Sequence, residues 1–134
     1  GTTQTPCRSL AWVRTSMNTT RRNELIDTYY EAVDGEDWDR MLSAFAADVE
    51  YLYPGEDPMR GHDEVRTFFE ERRRTRATTH DVFRRVHDEE ATACEGTITG
   101  EMGDDGPFEG AYVGVFEFDD NVDRIGYVGV YTRL

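Results

Sequence analysis

At 134 residues the chain has the length of one domain, able to bury about two thirds of its unfolded surface. Its 28 acids outweigh 15 bases for a net charge of −13, which repels phosphate backbones and anionic lipid, so neither nucleic acid nor a membrane surface is an expected partner. No apolar run approaches the roughly 20 residues that a membrane-spanning helix needs.

Residues 1–20 read as a loose arm containing Thr and Ser, ahead of a single domain over 21–134. Gly1, in place of Met, reads as the scar of a removed tag, with Met17 a candidate natural start. Leu10-Ala11-Trp12-Val13 is too short for the apolar core of a secretory signal. With only two cysteines, Cys7 and Cys94, no disulfide framework is expected, and a cytoplasmic setting fits better.

The first helix is expected over 21–34, where Leu25, Ile26, Tyr29, Tyr30 and Val33 recur at helical spacing after cap candidates at Asn18 to Thr20. Gly35 marks its end. A second helix follows, opening on Glu36, Asp37 and Asp39, acids that suit a helix N-terminus, and burying Trp38, Met41, Leu42 and Phe45 at i, i+3, i+4, i+7. The period then drops to two: Val49, Tyr51 and Tyr53 share one face of a short strand that Pro54-Gly55 ends. A third helix over 62–74 has Val65, Phe68 and Phe69 inward, and its final arginines read as a solvated turn with Glu70 and Arg74 paired. Strands are expected at 77–87, 90–101, 109–118 and 123–133, joined by short turns into an antiparallel meander.

The motif search excludes more than it finds. The glycines of residues 100–106 lie between strands, whereas a phosphate loop precedes a helix. No HExxH, CxxC or GxSxG spacing occurs, and three scattered histidines make no metal set, so neither a metal nor a bound cofactor is expected. Every base is arginine and the acids are dispersed, which reads as adaptation to high salt, as in a halophile. On that reading the melting temperature rises substantially between low salt and molar KCl as self-repulsion is screened; a flat response in a salt series removes it.

The order of elements, carried by YYEAVDGEDWDRMLSAFAADVEYLYPG, then RGHDEVRTFFEERR, then His80, resembles the nuclear transport factor 2-like fold. Within it the chain is similar to the SnoaL-like branch that includes polyketide cyclases and ketosteroid isomerase. The resemblance covers about 21–133 and implies an α+β cone, three N-terminal helices packed on a curved, mainly antiparallel sheet. It also implies an oxyanion donor at Tyr29, and it puts Tyr53 where the isomerase has its aspartate base and Gly114 near the second donor. Tyrosine is a poor base at neutral pH, so the isomerase mechanism does not transfer.

What the cone would hold is a small apolar or aromatic ligand. Its expected lining is Tyr29, Phe45, Tyr53, Phe69, His80, Tyr112 and Tyr127. Two functions follow: a ligand-binding module, or an isomerase, cyclase or hydrolase using His80 with Tyr29 or Tyr53 as acid, base and oxyanion donor. The orientation of His80 decides between them. Val82 shares its face and argues for the interior, whereas Phe83 on the opposite face argues against it; the histidine frequent at this place in the family implies the pocket. Finally, strands 109–118 and 123–133 are apolar on both faces, so a homodimer through the outer face is expected.

Overall fold

The computed structural model describes residues 17–134, so Cys7 and most of the expected arm lie outside the described residues. The first helix, α1 (Thr19–Gly35), begins inside the span read as arm, because the Asn18 side chain caps it by accepting from the Arg21 N–H at 3.3 Å. Leu25, Ile26, Tyr29, Tyr30, Ala32 and Val33 form its buried stripe. Glu36 rather than Gly35 takes the left-handed residue beyond the end, with φ 55°. Asp37 then caps the short α2 (Trp38–Ser43) by accepting from the Arg40 N–H at 3.1 Å.

Strand β1 (Phe45–Leu52) follows, starting earlier than the alternation of Val49 and Tyr51 implied. A two-residue strand, β2 (Met59–Arg60), pairs antiparallel with β1 and leads into α3 (Gly61–Thr67). The third helix stops short of the expected 74 because its last turn, Phe68–Arg72, is a π-helix that ends in extended backbone at Arg73. Arg74 therefore lies beyond the helix, out of i, i+4 register with Glu70. Glu70 pairs with Arg66 and Arg74 with Asp105, which corrects the Glu70–Arg74 pair read from spacing.

Four long strands complete the sheet: β3 (Thr75–His87), β4 (Ala91–Met102), β5 (Pro107–Phe118) and β6 (Ile125–Arg133). They form the expected meander, and the sheet order is β2-β1-β6-β5-β4-β3. One pairing was not foreseen: β1 runs parallel to β6, joining the first long strand to the last. The architecture is the α+β arrangement of N-terminal helices on a six-stranded, mainly antiparallel curved sheet.

The concave face is covered by α1 and carries Thr92, Cys94, Ile98, Tyr112, Phe116 and Val128, all buried. Cys94 is a free thiol whose proton is held more tightly than usual, its pKa pushed up to about 11 by burial. On the opposite face Val113 stands across from Tyr131, which is 55% exposed. The two histidines away from the cone are both engaged: His62 Nε2 lies 3.1 Å from the Phe45 carbonyl, and His87 Nδ1 lies 2.8 Å from Thr92 Oγ1.

Candidate functional site

Helical spacing builds the site first. Tyr30 and Asp34 stand one turn apart on α1, and the Tyr30 ring packs on the His80 ring at 5.1 Å, so Asp34 is carried to the same histidine. From β3, His80 and Thr78 meet it. His80 Nδ1 lies 2.5 Å from Asp34 Oδ1, the His80 backbone N–H donates to Oδ2 at 2.8 Å, and Thr78 Oγ1 donates to Oδ1 at 2.9 Å. Burial alone would raise the Asp34 carboxyl; the bonds from the His80 side chain and backbone and from Thr78 outweigh it and hold the carboxyl below its ordinary range. The acid is therefore ionised at neutral pH, and the proton between the two residues belongs on Nδ1.

A bulge aims the strand. The pairing of β3 with β4 shifts between Arg76 and Thr79, where Ala77 takes φ 51° and its N–H donates to Glu36 Oε2 at 3.0 Å. Gly100 on β4 makes room, since a Cβ there would meet the Arg76 carbonyl at 2.7 Å. With Thr78 buried and Phe83 61% exposed, the parity that periodicity left open is resolved: His80's face is the inner one.

The cavity under the helices is lined by Tyr29, Tyr30, Tyr51, Arg73, His80 and Tyr112, among others. Its free volume is about 30 Å³, room for one or two waters. Tyr29 and Tyr51 hydroxyls lie 2.5 Å apart, and burial pushes both phenols up, so both stay protonated across the physiological range. The Tyr112 hydroxyl is buried beside that of Tyr30 without reaching hydrogen-bond geometry to any described residue. Gly114 faces the same space, and a Cβ there would come within 2.6 Å of the Tyr30 hydroxyl. Where the isomerase resemblance puts a second acid donor, this chain has a glycine whose emptiness is filled by Tyr30.

Of the seven residues expected to line the cone, Tyr29, Tyr53, Phe69, His80 and Tyr112 do so. Phe45 and Tyr127 do not. Phe45 lies in the core behind Tyr29 and Tyr51, with ring centroids 5.6 and 6.1 Å away. Tyr127 is on the outer face, because Val128, Val130 and Thr132 take the inner positions of β6. Tyr53 stands past the end of β1, stacked on Phe68 at 4.8 Å. The sequence reading missed Asp34, Arg73, Tyr30 and Tyr51. Two of them had left a signal: Tyr30 in the apolar stripe of the first helix, and Tyr51 in its parity with Val49 and Tyr53. Among the described residues no group of three or more His, Cys, Asp or Glu is placed to hold a metal ion.

The profile of the SnoaL-like domain family matches residues 26–125, and the chain belongs to that family. No curated protein matches it. Among solved structures it is similar to a nuclear transport factor 2-like protein of unknown function from Burkholderia pseudomallei, at 20% identity and TM-score 0.75 over 84% of this chain and 91% of that one. It is also similar to an LEH-like epoxide hydrolase of Mycobacterium tuberculosis, at 24% identity and TM-score 0.70 over 85% and 84%. A candidate polyketide cyclase of Xanthomonas campestris gives 22% identity and TM-score 0.67 over 84% and 90%. Likeness at these identities establishes the nuclear transport factor 2-like fold and nothing finer.

Proposed function

We propose that the cone is an acid–base site for a small apolar or aromatic molecule, of isomerase, cyclase or hydrolase type, with His80 as the base. The observation that carries this reading is the Asp34–His80 pair at the wall of a tyrosine-lined cavity. An ionised Asp34 fixes the proton on Nδ1, and Nε2, which bonds no described residue, keeps its lone pair for substrate or water. Tyr29 and Tyr51 are donors that do not ionise, suited to an oxygen on which negative charge develops. A base that takes a proton from water or from a carbon beside a carbonyl serves epoxide opening, ring closure and isomerisation alike. The chemistry is carried by Tyr29 and His80, with Tyr53 at the rim rather than at the base.

A panel of small epoxides and enolisable ketones tests it, with rate followed against pH. Turnover should persist across the neutral range, where Asp34 is ionised, and be lost in acid as that carboxylate is protonated. Binding of panel members without turnover at any pH would leave a ligand-binding module. The small free volume gives that second reading its one support.

For the outer face we propose a second copy of the chain as its cover, since Val113, Val115, Tyr127 and Tyr131 share it. Light scattering in molar salt should give twice the monomer mass; a monomer there contradicts it.

A further inference from the structure

We propose that the cavity takes the carboxylate of a small aromatic or apolar acid, and that Arg73 selects for the negative charge. The inference rests on the reading of the cone as the ligand site, and it names the class of ligand. Arg73 enters the cavity directly after the π-helical turn, its N–H anchored on the Phe68 carbonyl at 2.8 Å. Its guanidinium lies 5.8 Å from the Trp38 ring centroid and 5.3 Å from that of Phe69, and Nη2 donates to Thr78 Oγ1 at 3.2 Å. Two aromatic faces and one hydroxyl hold the cation in place without neutralising it.

Arg21, Arg40, Arg60, Arg66, Arg72, Arg74, Arg84, Arg85 and Arg124 all reach a carboxylate, whereas Arg73 reaches none among the described residues. Arg76 and Arg133 share that lack but are exposed to solvent, while Arg73 is half-buried against the cavity. Asp34, the acid nearest along the hydrogen-bond chain, is already occupied by His80 and Thr78. The half-buried guanidinium thus faces a cavity that offers donors and no acid. Tyr112 supplies the second observation: its hydroxyl, on a residue 4% exposed, lines the same cavity beside the Tyr30 hydroxyl and makes no bond of full hydrogen-bond geometry among the described residues. A free volume of about 30 Å³ suits a carboxylate group better than a whole ring, so the apolar body of such an acid would sit outward along Tyr53 and Phe69. A carboxylate accepts from the arginine as an ion pair and from the neutral phenol as well, whereas the oxygen of a neutral amide accepts from both without the ionic contribution.

The test compares benzoate with benzamide, nearly equal in size but one anionic and the other neutral, on the full chain at pH 7 by amide-shift titration. Benzoate should bind about tenfold tighter, as a charge-assisted bond implies, and both should move the His80 and Tyr112 signals. Arg73→Gln should bring the two affinities together, with benzoate losing more than benzamide, and Arg73→Lys should restore part of the preference. Arg76→Gln, an exposed arginine three positions on, should leave the ratio as it is. Equal affinity in the unaltered protein overturns the charge selection and leaves the cone as a ligand site. If neither compound moves those signals, both readings fall. Should Arg73→Gln melt too low to measure, the unaltered protein and Arg73→Lys decide alone.

Discussion

The Asp34→Asn substitution is expected to lower turnover of any substrate that the cone accepts by about 10²–10⁴-fold, the usual contribution of a positioned base. An asparagine whose carbonyl accepts from the His80 N–H turns its NH₂ toward Nδ1, and the imidazole must answer with a lone pair there. The proton then moves to Nε2, and the base is gone although the shape is kept. His80→Gln should lose the same factor, and the double variant little more, because the two residues act as a unit. Single-turnover rates on the folded variants measure this; losses under threefold in both would end the catalytic assignment. The same carboxylate links stability to acid. Its depressed folded-state pKa gives a contribution that is full above the ordinary carboxylate range and lost as pH falls through the folded value, so Asp34→Asn should flatten the acid limb of the melting profile.

Arg22→Met should cost about 3–5 kcal/mol, since several part-buried acceptors each lose a charged donor at about 1–3 kcal/mol apiece. Arg22 is 2% exposed. From α1 its Nη1 donates to the Asp88 carbonyl at 2.7 Å, the Ala91 carbonyl at 3.1 Å and Thr92 Oγ1 at 3.2 Å, and its Nη2 donates to the Glu89 carbonyl at 2.9 Å. One guanidinium therefore ties the helix start to the β3–β4 turn. Methionine fills part of the volume and leaves those acceptors without their donor. The melting temperature should drop by roughly 10–20 °C in a domain of this size, and a fall of under 3 °C would mean the turn is held by something else.

Much of this fold was legible because its elements obey simple periods. Leu25 to Val33 repeat at helical spacing, and the turns at Asp88, Gly103 and Asp119 punctuate the strands. The parallel β1–β6 pair was hidden, since no local pattern in Phe45–Leu52 says which distant strand it will meet. Asp34 was hidden for the same reason. Before Gly35 it reads as an ordinary acid at a helix end, and its meaning comes only from His80, 46 positions later. Arg73 sat in a run of three arginines that looks solvated, and only the π-helical turn brings the middle one inward. Tyr127 was misplaced because β6 is apolar on both parities, so alternation could not say which side faces the cone.

The β1–β6 pairing bears on how the chain reaches this state. Strand β1 is made well before its parallel hydrogen-bond partner β6, the last strand of the sheet in chain order. The helices and β3 to β5 can assemble from neighbours, while Phe45–Leu52 waits with its β6 edge wholly open and only the two residues of β2 on its other edge. Contacts that close so long a loop slow folding and leave an unpaired strand exposed meanwhile. Asp48, exposed, and Glu50, half-buried, put negative charge on that strand, and charge of this kind disfavours the pairing of an open edge with another chain.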